Sequence, residues 1–234
     1  GNASGMQYGD TLSDDAFTGY EFDYIISNPP FGIDWKREKT QIEAEAKKGF
    51  DGRFGPGLPA ISDGQMLFML NGVKKLKEGS GRMAIIQNGS SLFTGDAGSG
   101  ASEIRRHVIE GDLVEAIIQL PTDLFYNTGI STYIWVLTKG KAMHRSGKVQ
   151  LIDASKCFVK RRKNIGSKRV DLDDACIDLI KYECLCFILL CKHGFECQHD
   201  TGKLATGSDF SQRLGLLAGV GRNQKFNVIL SCGS

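Results

Sequence analysis

No apolar run in this chain approaches the ~20 residues that a helix needs to cross a bilayer. The longest greasy patch, Cys184 to Cys191, is too short and lies inside the chain, so it serves neither as a membrane span nor as a signal peptide. A strong charge of one sign is missing as well. Lys and Arg number 29 and Asp and Glu 27, a formal net charge of +2, so the molecule is no polycation and any grip on nucleic acid must come from a local patch. A nucleotide-binding P-loop is absent. Gly95-Asp96-Ala97-Gly98-Ser99-Gly100 lacks the Lys-Ser/Thr ending, and its glycine spacing is not G-x-G-x-x-G. Seven cysteines without a secretory segment indicate a reducing cytoplasm rather than a disulfide framework, so the expected location is cytoplasmic. With 41% hydrophobic and 24% charged residues, the 234-residue chain reads as an ordinary globular protein of one or two domains.

Proline is scarce, five in all, yet two of them are adjacent. Phe22 to Ile26 is a short strand-like run of β-branched and aromatic residues, and it ends at Asn28-Pro29-Pro30-Phe31. The prolines cannot donate to a sheet ladder and hold the backbone extended. A strand that stops in a stiff polar turn puts its side chains at the carboxyl end of a sheet, where open α/β sheets bind ligands. The Asn28 side-chain oxygen and the Pro29 carbonyl are two acceptors suited to one planar NH2 group. Phe31 offers a face on which an extruded base could stack. An Asn-Pro pair by itself is usually only a strand end; the full four residues after an apolar strand favour the chemical reading.

Further along, the polar segment Ile33 to Lys48, with a helical look from Thr40, runs into the glycine-rich stretch Gly49 to Gly57, and the whole insertion is expected to be a mobile loop beside the substrate. Arg37, Lys39 and Arg53 are its candidate phosphate contacts, or simply solvating charges. Asp63-Gly64-Gln65 opens a predicted helix, Met66 to Leu76, with Met66, Met69, Leu70 and Val73 as a core stripe. Arg82 to Gln87 reads as a buried strand and Ser102 to Glu110 as a helix capped by Ser102. Strands are predicted at Leu113–Leu120, Thr132–Thr138 and Val149–Ile152. Alternating strands and helices with short links predict an α/β fold with a mostly parallel sheet. Leu113–Leu120 and Thr132–Thr138 have no helix-length run between them, so that pair is predicted antiparallel, a reversed last strand.

The Asn-Pro-Pro-Phe stretch resembles the catalytic motif of amino-group methyltransferases that use S-adenosylmethionine, most closely the N6-adenine DNA methyltransferases. Gly9-Asp10-Thr11-Leu12, Gly52-Arg53-Phe54-Gly55, Ser62-Asp63-Gly64-Gln65, Leu92 to Gly100 and Leu124 to Ile130 resemble the modification subunit of type I restriction-modification systems, over roughly residues 9 to 170. The resemblance implies a Rossmann-like methyltransferase fold and transfer of a methyl group from S-adenosylmethionine to a flipped adenine. Its catalytic residues would be Asn28, Pro29, Pro30 and Phe31, with Asp10 touching the adenine amino group of the cofactor; no metal is implied. Asp10 reads equally as a turn aspartate. The implied partners are double-stranded DNA, a specificity subunit and a restriction subunit, with no membrane. Related motifs serve enzymes that act on RNA bases or a protein glutamine, and a noncatalytic assembly surface is the alternative outside enzymology.

A dinucleotide-like fold also needs a strand, a glycine loop and a helix for its cofactor. Only some twenty residues precede the catalytic strand, against about 30 for one such unit. The expectation is therefore a partial fold lacking its first strands, an N-terminally truncated chain that is inactive alone and binds S-adenosylmethionine weakly or not at all. Residues 1–155 would be the C-terminal part of the catalytic domain, and 156–234 a basic linker with a poorly defined tail. Lys156, Lys160, Arg161, Arg162, Lys163, Lys168 and Arg169 crowd that linker. They could follow a DNA backbone or merely solvate it. Cys184, Cys186, Cys191, His193, Cys197 and His199 have soft ligands enough for zinc, but their spacing fits no known finger, and buried thiols are the favoured reading.

Overall fold

The alternation of short β-rich runs with helix-length segments resolves into a six-stranded mixed sheet in a computed structural model that describes residues 5–182 and 227–232. The elements are β1 (Tyr24–Ser27), α1 (Lys39–Ala46), α2 (Gln65–Lys74), β2 (Arg82–Asn88), α3 (Ser90–Phe93), α4 (Gly100–Glu110), β3 (Val114–Gln119), β4 (Thr132–Thr138), β5 (Lys148–Asp153), β6 (Val159–Ile165), β7 (Lys168–Asp171) and β8 (Asn227–Cys232). The sheet order is β1-β2-β4-β3-β5-β8. β1 and β2 are parallel, while β4 runs antiparallel between β2 and β3, so the reversed strand is inserted rather than added at an edge. β5 and β8 extend the sheet in parallel with β3. At its other end the described sheet stops at β1, where Tyr24 is 77% and Ile26 91% exposed.

Two faces of the sheet are covered differently. On one, Met69, Val73 and Leu76 pack with Met83, Ile85, Val108, Ile117 and Trp135. On the other, Ile118, Leu120, Ile152 and Ala154 meet Leu124, Phe125, Leu172 and Ile180. α2 is buried all round rather than along one stripe, because its second side faces a cluster of Leu12, Trp35, Ile42, Phe54 and Ile104. That cluster corrects the expectation for residues 33–57. Trp35, Ile42 and Phe54 are buried apolar anchors, so the segment is packed on the core instead of standing free as a loop.

Two further expectations change. α4 is capped by Ser99, whose hydroxyl accepts from the Ser102 amide at 3.4 Å, so the helix starts a turn earlier than Ser102. The basic run is no irregular linker: β6 and β7 pair as an antiparallel hairpin. Asn227–Cys232 forms β8, a parallel edge strand along β5, while the rest of the tail expected to be poorly defined lies outside the described residues. The Cys184–His199 cluster lies outside the described residues. Among the described residues no cluster of His, Cys, Asp and Glu suits a metal, and no helix is long and apolar enough to cross a membrane.

Candidate functional site

β1 delivers the chain to Asn28 at the carboxyl edge of the sheet. Ser27 is in register with Ile85 of β2, so the turn leaves the sheet before β2 does. Pro29 is buried, Phe31 is half-buried, and Asn28 and Pro30 are exposed. Proline rings at two successive positions fix the path, and the buried Pro29 anchors it. Among the described residues no hydrogen bond engages the Asn28 amide and no ring contact engages Phe31. An exposed amide beside a half-buried ring can receive an amine and a base face without first breaking a protein contact.

The turn is braced from behind. Gly32 takes a positive φ of 65°, which a side chain would disfavour. Trp35, 3% exposed, donates its indole N–H to the Ala60 carbonyl at 3.1 Å, and its amide to Ile61 at 3.0 Å. The Gly64 amide donates to the Ile33 carbonyl at 2.9 Å, and a Cβ on Gly64 would come within 3.2 Å of the Trp35 ring. Residues 60–64 and 32–35 are thus stitched together.

That stitching brings in a polar network that the motifs did not foretell. Gln65, 1% exposed, donates from Nε2 to Asp63 Oδ2 at 2.9 Å and Asn88 Oδ1 at 2.7 Å, and accepts the Asn88 amide at 3.0 Å on Oε1. The Ser90 hydroxyl reaches Asn88 Oδ1 at 2.7 Å and also contacts Asp63. Ser91 donates to the Asn88 carbonyl at 2.9 Å and accepts the Trp135 indole at 3.2 Å. Asp63-Gly64-Gln65 was read as the opening of a helix and as part of the family resemblance, with no partner assigned to it. Its partner Asn88 is 23 residues from Gln65, and no local signal in the sequence pairs them. The network fixes the carboxyl end of β2, the strand beside the turn. Past it, Asn88, Ser90, Thr94, Gln119, Ser131 and Tyr133 line a cavity of about 550 Å³.

On the other side of the turn a cleft of about 430 Å³ runs between β1 and residues 7–17. Pro29, Gly9 and Thr11 all line it, so the segment carrying Asp10 and the diproline corner share one space. Asp10 itself builds a turn: its Oδ1 accepts the amides of Leu12 at 2.8 Å and Ser13 at 3.4 Å. Oδ2 has no protein partner among the described residues. Phe17 and Phe22, 5.7 Å apart and edge to face, close the apolar wall.

Arg53 holds this segment in place, and it corrects one expectation. It is 9% exposed and fully engaged, so it is no phosphate contact. It grips Glu45 through Nε at 2.7 Å and Nη2 at 2.6 Å, Asn71 at 3.0 Å, and the carbonyls of Thr11 at 2.7 Å and Leu12 at 3.1 Å. Burial pushes the Glu45 carboxyl up, but Arg53 outweighs it and holds the group below its ordinary value. Asp15 behaves alike: burial raises it, and hydrogen bonds from Lys75 and the Phe17 amide, with the charges of Lys75 and Arg53, bring it lower. Lys39 pairs with Glu43 at 3.6 Å on an exposed face.

Residues 1–180 match the family described as N-6 DNA Methylase. The chain is 29% identical over 158 residues to the type I restriction enzyme MjaIX methylase subunit of Methanocaldococcus jannaschii, covering 67% of this chain and 27% of that one. To the MjaVII methylase subunit of the same organism it is 30% identical over 172 residues, covering 70% and 28%. The chain therefore spans little more than a quarter of these relatives' length. Among solved structures it resembles a type I restriction-modification methyltransferase subunit from Streptococcus thermophilus, with TM-score 0.62, 29% identity, and coverage of 76% of this chain and 35% of that one.

Proposed function

Since this chain belongs to the N-6 DNA methylase family, we propose that it forms the amino-acceptor part of a type I modification methyltransferase acting on N6 of a flipped adenine in duplex DNA. The observation that carries the reading is the uncommitted, exposed Asn28 amide on a corner anchored by buried Pro29, with Phe31 beside it. The Asn28 oxygen and the Pro29 carbonyl accept the two N–H bonds of the exocyclic amine. Doing so withdraws the nitrogen lone pair from the ring and turns it outward as a nucleophile. Phe31 stacks on the base, and Pro30 keeps the acceptors in fixed directions. The amine's surplus proton leaves to water, so no strong base is needed. Positioning accounts for most of the rate.

S-adenosylmethionine supplies the electrophilic methyl on a sulfonium. Gly9, Thr11 and Pro29 line the cleft that would hold one side of such a ligand, and Asp10, whose Oδ2 has no partner among the described residues, would accept from its adenine amine. The chain spans little more than a quarter of the length of its methylase-subunit relatives, which supports reading residues 1–155 as one part of a larger catalytic domain. The exposed Tyr24 and Ile26 on β1 favour completion of the site by further polypeptide. A specificity subunit, a restriction subunit and a cytoplasmic location complete the reading.

In the intact parent enzyme, Asn28→Ala should abolish methyl transfer while cofactor binding by calorimetry survives. Retained turnover removes Asn28 from the chemistry. Unlabelled DNA alongside labelled RNA or protein would replace the substrate.

A further inference from the structure

The most concentrated positive charge of the chain lies in the β6–β7 hairpin, and its position in the fold gives that charge a use. The hairpin is docked against the chain that follows β3. The amides of Ser167 and Arg169 donate to the carbonyls of Tyr126 and Asp123, each at 2.8 Å. Gly166, with φ of 59°, meets Tyr126 so closely that a Cβ there would lie 2.5 Å from the Tyr126 carbonyl oxygen. Val170 is buried beneath. β3 runs parallel to β1 and β2, so its carboxyl end, and the hairpin seated there, share the edge that carries Asn28. Three strand spacings separate β1 from β3, about 14 Å, comparable with the ~12 Å width of a DNA major groove.

The charges divide into committed and uncommitted sets. Arg161 and Lys168 both pair with Asp171. Lys160, Arg162, Lys163 and Arg169 are exposed and meet no carboxylate among the described residues. Of the carboxylates that follow, Asp173 accepts the Cys176 amide at 2.8 Å, Asp178 pairs with Lys181 at 3.0 Å, and Asp174 is exposed. A two-stranded ribbon with long, unpaired cations matches a run of phosphates and reads no base.

We propose that this hairpin is a phosphate-gripping arm. Lys160, Arg162, Lys163 and Arg169 hold the backbone of duplex DNA on the edge that presents Asn28. The proposal rests on the DNA reading above and adds to it the surface that binds.

The test is anisotropy of a fluorescent duplex titrated with the 234-residue chain between 50 and 200 mM salt. One variant carries Lys160→Gln, Arg162→Gln, Lys163→Gln and Arg169→Gln. A control of equal charge change carries Lys47→Gln, Lys48→Gln, Lys74→Gln and Lys77→Gln, all at exposed positions. Each phosphate contact contributes about 0.9 to the salt slope, hence roughly eightfold in affinity at 0.1 M salt. The hairpin variant should lose a slope of about 2–4, and the control should keep the parent's. Arg162→Lys with Arg169→Lys should also keep it, since charge alone is needed. An unchanged slope in the hairpin variant, or an equal loss in the control, overturns the arm and leaves the methyltransferase reading intact. Polyglutamate competing as well as DNA at equal charge would assign the patch to an acidic protein and overturn it too. Failure of the parent chain to bind duplex at all would overturn the DNA reading with it.

Discussion

Arg53→Met tests whether one guanidinium holds residues 11–15 to the core. The side chain is 9% exposed, and its partner Glu45 is 21% exposed. Breaking a buried pair by removing one member costs ~3–5 kcal/mol, because the other charge is left without compensation. Water at the partly exposed Glu45 returns some of that, so the expected loss is about 2–3 kcal/mol. For a chain of this size the melting temperature should fall roughly 5–10 °C. Circular dichroism in urea and on heating measures both. The strongest form is a cycle with Glu45→Gln, in which the double variant should lose clearly less than the two single losses added together. Arg53→Lys should recover little, since an ammonium cannot reproduce the fork that reaches Glu45 and two carbonyls at once. A loss under about 1 kcal/mol, or simple additivity in the cycle, would refute the clamp.

Two other expectations follow from the same packing. Asp15 and Glu45 are held below their ordinary values of 3.8 and 4.5, so the stability they add is complete above those values and lost as pH falls through the lowered ones. Urea midpoints should therefore drop steeply on acidification below about pH 4.5, and Arg53→Met should flatten that drop; an unchanged pH profile would contradict the pairing. Gly100→Ala should cost about 1–3 kcal/mol despite its place in a helix, because the new Cβ would lie 1.7 Å from the backbone oxygen of Leu58. Gly72→Ala should be far milder, since its Cβ meets only the flexible end of Met83. Equal losses in the two would show that close backbone approach is not what selects glycine at 100.

Local pattern was enough for much of the scaffold. Thr132–Thr138 has the β-branched and aromatic content of a buried strand and forms β4 over those same residues. Thr40–Lys48 and Met66–Leu76 carried helix-length signals close to α1 and α2. The link between β3 and β4 carries no helix, which favours the antiparallel pair the two strands form. The Asn28–Phe31 turn was legible too, since two prolines dictate backbone shape wherever they occur.

What local pattern could not supply were partnerships between distant residues. Nothing near Arg53 says whether a guanidinium will meet a phosphate or vanish into a pocket; that was decided by Glu45 and by carbonyls some forty positions away. Gln65 and Asn88 look like a helix start and a strand end until folding sets them 2.7 Å apart. β4 slides between β2 and β3, a choice of neighbour that strand propensity does not encode. The basic run was visible as charge, but its seat on Asp123 and Tyr126 exists only once β3 is in the sheet. Composition and spacing thus determined which groups this chain carries and which short segments are stiff. Long-range burial and hydrogen bonding decided which groups are spent inside and which are left to meet a ligand, because a polar group's value depends on what lies within about 3 Å of it.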